Sequence, residues 1–267
     1  LIYPKVIHQI TRYELEYLLK NPVNMFSAGL YALVSILIVI LEGFRQTYLG
    51  DFDSAALELV NFILPVFLLL HMLFVLSPMF AEETEYHIWE MPDSCNYGGY
   101  IRRLCRLIAV AYYLILLNLS YHIITAVIVG IIQPFSTWKE PVLQIGGEMK
   151  IVISWAVWQH YLFAIFSLFF ASIIIGAFIL VCSRKTKTVM AACAWGIFIC
   201  LIEYMLNRFS SWGPLQQFNI WQLLTPYRFE FDGPFYYPIT NVLVVGGFFT
   251  VLVAVSIWNI LKNNEPL

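Results

Sequence analysis

Six long apolar runs, separated by shorter polar stretches, set the pattern of the chain. They cover 23–44, 58–80, 106–132, 151–181, 189–206 and 239–261. A helix needs about 20 apolar residues to cross a hydrocarbon core, so each run predicts a membrane-spanning helix. The third and fourth exceed the minimum and are expected to tilt or to extend past the membrane. The fifth is short and ends at Asn207-Arg208. Ahead of the first run, residues 4–20 carry a polar stripe at helical spacing: Lys5, Gln9, Arg12, Glu16 and Lys20. Tyr3, Ile7, Ile10 and Leu18 fall on the opposite side, which predicts an amphipathic helix lying in the membrane interface. Glu14 projects onto the apolar face. Its expected state there is snorkelling or solvated at a frayed edge, with pairing as the other option. The fold class is therefore an all-α membrane protein, one transmembrane domain over 1–267.

The polar stretches differ in character. The loop 81–105, with the residues on either side of it, is the most charged part of the chain. Glu82, Glu83, Glu85, Glu90 and Asp93 come first, and Arg102, Arg103 and Arg106 close it. Between them stand His87-Ile88-Trp89, then Met91-Pro92, then Gly98-Gly99. A loop that only reverses direction does not need an Ile-Trp pair and a proline-broken helical turn; a docking site for a soluble partner does. The segment 207–238 is aromatic instead, with Trp212, Phe218, Trp221, Tyr227, Phe229, Phe231 and four prolines among its residues. A water-exposed loop would not be this apolar. It is expected to re-enter the membrane between spans five and six, with a short helix over 215–224 turning Leu215, Phe218 and Trp221 inward.

Charge sets the orientation. With the N-terminus inside, the cytosolic parts hold Lys5, Arg12, Lys20, Arg102, Arg103, Arg106, Arg184, Lys185, Lys187 and Lys262, and the external parts hold Arg45, Lys139, Lys150, Arg208 and Arg228. Ten bases against five follow the positive-inside rule, so both termini are expected in the cytosol. Charged residues make up 12% of the chain and hydrophobic ones 60%, against roughly 25% charge in a soluble domain. A net charge of −2 argues against nucleic acid as a partner. Lys5 and Arg12 precede an apolar run too long for a cleaved signal, so no signal peptide is expected. The sequence opens at Leu1 rather than Met, and further N-terminal residues are expected before it. Cys95, Cys105, Cys182, Cys193 and Cys200 show no CxxC spacing and are expected as free thiols.

Candidate chemistry is sparse. The sequence holds no phosphate-binding GxxxxGK[ST] loop, no HExxH and no GxSxG. His71, His122 and His160 fall in spans, where a histidine commonly bonds a neighbouring helix or lines a wet cavity. Haem ligation between facing helices is the alternative, and it would make the chain a histidine-ligated haem or quinone oxidoreductase. Glu203 is the one acid well inside a span and should face protein or water; a gating role and a structural hydrogen bond are both open. Asn61, Asn118 and Gln133 are expected to link helices. The aromatics Tyr112, Tyr113, Phe163, Phe166, Phe169 and Phe170 suit helix packing or, if they line a path, an amphipathic cargo.

The arrangement resembles a known family. An interfacial helix, six spans, a long charged loop after the second, the basic turn Ser183–Lys187 after the fourth and a re-entrant segment before the sixth resemble the type-2 permeases of ATP-binding cassette exporters. Those proteins carry an acidic run with Gly-Thr after the second span, then a Pro, then a Lys opening the third helix. Thr84 stands where the family Thr would; Pro92 follows at eight residues and Arg102 ten further on, where the family often has Lys. Glu83 replaces the family Gly, and Met79 stands where an earlier acid is usual. The resemblance implies that 4–20 is an elbow helix. It also implies that 83–98 docks on a separate ATPase subunit through Ile88, Trp89, Glu90, Met91 and Pro92. Glu203, Phe218 and Trp221 would then belong to an external gate. It implies a homodimer of permeases in a bacterial plasma membrane, surrounded by lipid, with two ATPases that bring the ATP and Mg. This chain would hold no cofactor and catalyse nothing itself. The expected cargo is an antimicrobial or cytolytic peptide, then a drug or lipid-linked compound.

Overall fold

A computed structural model describes residues 3–49, 59, 63–86, 98–132, 139, 156–209, 224 and 238–262. Among the described residues nearly everything is helical and no strand occurs. The helices are α1 (Tyr3–Leu19), α2 (Pro22–Leu49), α3 (Leu64–Leu76), α4 (Pro78–Glu85), α5 (Gly98–Ile132), α6 (Val157–Lys185), α7 (Val189–Phe209) and α8 (Pro238–Lys262). Proline stands at the start of α2 and α8, where its missing N–H costs nothing and its fixed φ suits the first turn. Ala156 is extended ahead of α6, and its N–H donates to Gln159 Oε1 at 3.0 Å, closing the first turn from within.

Pro22–Leu41, Leu64–Glu85, Gly99–Ile131, Trp158–Lys185 and Val242–Lys262 are each long and apolar enough to cross a membrane. α7 (Val189–Phe209) begins where the fifth run was expected, and among the described residues its apolar stretch is Val189–Phe198. Among the described residues, five helices are long and apolar enough to cross a membrane, and the sixth expected span, 189–206, lies on α7. Of the segment 207–238, the structure describes 207–209 at the end of α7, the buried Leu224 and the first residue of α8. The expected re-entrant helix over 215–224, Phe218 and Trp221 included, lies outside the described residues except for Leu224.

α3 sits at the centre. Its sequence, LPVFLLLHMLFVL, is apolar around most of its circumference, as a helix surrounded by others must be. Leu68, Met72 and Leu76 are fully buried, and the helix packs against α2, α6 and α7. Small residues set the close crossings. A Cβ on Gly196 of α7 would collide with Leu73 Cδ2, and one on Gly176 of α6 would come within 3.0 Å of Leu114 Cδ1. α2 and α8 are the least buried of the long helices and turn Leu33, Leu37, Val251 and Trp258 outward.

The charged loop is narrower than 81–105. α4 continues to Glu85 and α5 begins at Gly98. Glutamate is a good helix former, and Thr84 Oγ1 donates back to Phe80 O at 3.3 Å, so the acidic run extends the second apolar helix. Tyr86 is a turn residue, and 87–97 lie outside the described residues.

Candidate functional site at the charged end of the bundle

α1 lies across the first turns of α5, its principal partner. The contact is made by charge. Arg106 Nε and Nη2 face the two carboxylate oxygens of Glu14 at 3.1 and 3.2 Å, a two-pronged pairing that suits the guanidinium fork. Nη2 also reaches Glu83 Oε1 on α4 at 2.9 Å, and Nη1 donates to Met79 O. Arg102 binds the same Glu83 oxygen at 2.8 Å and lies 3.5 Å from Glu14. Two acids and two bases thus neutralise each other, and the side chains of Glu14 and Arg106 are only 5% and 7% exposed. The Phe80 ring covers Arg106 at 5.1 Å.

This corrects the expectation for Glu14. It is neither solvated nor snorkelling, because α5 brings two arginines onto the apolar face of α1 and leaves no water to reach. An ion at such a position survives only when paired and fully hydrogen-bonded.

Further bonds gather the same end. Tyr17 Oη donates to Glu82 Oε2 at 3.2 Å, and Cys105 Sγ donates to Ile7 O at 3.6 Å. Partial burial and then the Glu82 charge push the Tyr17 phenol above its ordinary value, so it stays a donor. Glu85 Oε2 accepts from Val189 N at 2.9 Å, where a carboxylate meets the positive end of α7. Ser183 of α6 accepts from Phe80 N and Ala81 N at 2.9 and 3.0 Å and donates to Ser77 O at 2.7 Å. The α3–α4 junction is where Pro78 has no N–H to give, and a neighbouring serine knits it together. Arg102, Arg106 and the basic turn after α6 therefore share one end of the molecule with α1.

The residues expected to dock, Ile88, Trp89, Glu90, Met91 and Pro92, lie outside the described residues, and the helix ends on either side of them belong to this cluster. Glu203 lies on α7, and its side chain is outside what the structure describes.

A second polar cluster lies within the apolar core. His71 Nε2 is 2.8 Å from Asn24 Oδ1 and 2.6 Å from Tyr113 Oη; Nδ1 faces Ser27 Oγ and, at 3.0 Å, Tyr121 Oη. Asn24 Nδ2 donates to Leu18 O and Leu19 O at the end of α1, which turns its Oδ1 toward the imidazole. An amide oxygen only accepts, so Nε2 carries the proton and Nδ1 accepts from the hydroxyls. His71 thus bonds neighbouring helices, as expected of an intramembrane histidine. Asn118 does so too, accepting from Ser172 Oγ at 3.3 Å. His160 is buried. His122 is buried against the Tyr161 ring, and among the described residues neither ring nitrogen has a hydrogen-bond partner.

Sequence reasoning missed the partners of both clusters. The signals were there: Glu14 as an acid on an apolar face requires a base, and Asn24 with Ser27 on α2 and Tyr113 with Tyr121 on α5 repeat at helical spacing. Among the described residues no group of three or more metal-ligating side chains forms, and Cys105, Cys182 and Cys193 are free thiols. The chain matches no protein-family model, and no curated protein matches it.

Proposed function

We propose that this chain is the permease subunit of an ATP-driven exporter, moving a hydrophobic or amphipathic cargo outward while a separate ATPase docks on 83–98. One observation carries the reading: the buried Glu14–Arg106–Glu83–Arg102 cluster. It ties the interfacial helix to the last turn of α4 and the first turns of α5, the two ends of the docking segment. A push on that segment is delivered to a platform already bonded to α1, and through Ser183 and Glu85 to α6 and α7. Rigid helices then carry the movement across the membrane. Two copies of the chain enclose the pathway, with two ATPases beneath them.

Trp89→Ala tests the reading. Aromatic anchors dominate interfaces of this kind, and a hot spot costs about 2 kcal/mol or more on truncation. The variant is expected to insert normally in the membrane, to lose ATPase co-purification and to uncouple hydrolysis from transport. Glu90→Ala is expected to matter less, because charges around an anchor steer more than they hold. Full ATPase binding and transport by Trp89→Ala would remove 83–98 as the coupling element.

The competing reading, a haem or quinone enzyme, is favoured by one observation, the open ring of His122. The ring nitrogens of His71 are already engaged, so the described histidines do not supply an open facing pair. A Soret band in the purified protein would reverse the preference.

A further inference from the structure

Where α1 turns into α2 the surface holds a cavity of about 360 Å³, lined by Tyr13, Glu16, Tyr17, Lys20, Asn21 and Pro22. That is within the range of small-molecule sites, about 300–1,000 Å³. Its two charged lining groups are of opposite sign. Lys20 Nζ stands 3.5 Å from Glu16 Oε2 and is 78% exposed, so this pair leaves the ammonium free to take another anion. Glu16 Oε1 accepts from Arg12 Nε at 2.9 Å, and its carboxyl lies below the usual range because of that bond and then the Lys20 charge. Glu16 therefore stays an anion. Two tyrosines complete the wall, and an aromatic face attracts a quaternary or primary ammonium.

Beside the cavity, on the first turns of α2, Met25 and Phe26 are 82% and 73% exposed, and Leu30 and Leu33 continue outward along the helix. Such a stripe next to water would be unstable; next to hydrocarbon it is the expected surface of a spanning helix. The cavity thus carries one charge of each sign on a partly apolar wall, and the exposed apolar residues of α2 follow directly in the chain.

We propose that the α1–α2 junction binds the headgroup of a zwitterionic phospholipid. The ammonium rests against Tyr13 and Tyr17 with Glu16 beside it, the phosphate meets Lys20, and an acyl chain follows Met25, Phe26 and Leu30. An anionic headgroup lacks the cation that Glu16 and the tyrosines would hold. The inference depends on the membrane reading and not on the exporter reading, so either can fail alone. It ties lipid to α1, the helix that Glu14 locks to the charged end.

The test is native mass spectrometry of the full chain in a maltoside detergent, titrated with phosphatidylethanolamine, with phosphatidylglycerol, or with free phosphoethanolamine. The expected result is preferential retention of phosphatidylethanolamine. Lys20→Gln and Tyr13→Leu should each weaken retention about threefold, whereas Tyr13→Phe, which keeps the aromatic face, should not. Both side chains are exposed, so these variants fold; the unfolding temperature confirms it. Equal retention of both lipids by wild type and all variants would overturn the proposal in favour of bulk lipid. Binding of free phosphoethanolamine as tight as that of the lipid would overturn it in favour of a soluble ligand.

Discussion

Removing the Glu14 carboxylate leaves Arg106 buried with only Glu83 and the Met79 carbonyl for company. Glu14→Ala is expected to destabilise the protein by about 3 kcal/mol, the scale of breaking one partner out of a buried pair. Arg106→Leu strands Glu14 in the same way. The double variant Glu14→Leu with Arg106→Leu should cost less than the sum, by about 1–3 kcal/mol, because it removes both ions at once. Thermal unfolding in detergent reports all three, and strict additivity would mean that the two side chains do not act on each other. The intramembrane histidines give a second contrast at this scale. His71→Phe leaves Asn24, Ser27, Tyr113 and Tyr121 short of a partner and is expected to cost about 1–3 kcal/mol or more. His122→Phe breaks no side-chain hydrogen bond and keeps the ring packing on Tyr161, so the unfolding temperature should hold or rise. A large loss at His122 would show that its ring has a partner when the protein is in a membrane. The need for a partner could be read from the sequence at Glu14, since an acid had landed on an apolar stripe. Which base answered could not, because Arg102 and Arg106 are about ninety residues away and only packing chose them over Arg103 or Lys20.

Among the elements, the α3–α4 helix shows how a local rule depends on a distant residue. Pro78 interrupts the hydrogen-bond ladder, yet Ser77 between the two helices keeps helical dihedrals of φ −60° and ψ −37°. Ser183 makes this possible by taking two N–H groups and returning its proton to Ser77 O. Ser183→Ala removes the acceptor and the donor together, and the expected cost is about 1–3 kcal/mol per stranded buried group. Amide exchange at Phe80 and Ala81 should rise in that variant while α5 stays protected. Unchanged exchange would show that α4 holds its own first turn. The helices themselves were legible from apolar period and length: α1, α2, α5, α6 and α8 lie close to where the pattern put them. The ends were less legible. The acidic run 82–85 reads as loop because it is charged, and it is helix because Glu83 and Glu85 find partners on α5 and α7.

At the scale of the molecule, the bonds among α1, α4, α5 and the α6–α7 turn bring Arg102, Arg106, Arg184 and Lys185 to one end. If that end is cytosolic, Cys182 beside the basic turn and Cys95 in the charged loop should react with a membrane-impermeant maleimide only after cells are opened. Labelling of either in intact cells would invert the orientation and remove the docking segment from reach of an ATPase. The sequence by itself determined what depends on neighbours in the chain. An apolar run of span length must be a helix in lipid, since backbone groups there need internal partners, and a polar stripe at helical spacing must lie at an interface. What depends on distant residues was fixed by how the helices pack. That packing placed Asn24, Tyr113 and Tyr121 around the imidazole of His71 and left that of His122 without a hydrogen-bond partner among the described residues. It also set Gly196 against Leu73. Hydrophobicity is additive along a sequence and can be summed by eye. Which polar group meets which is a property of helix rotation and crossing, and a shift of one residue turns a side chain about 100° away.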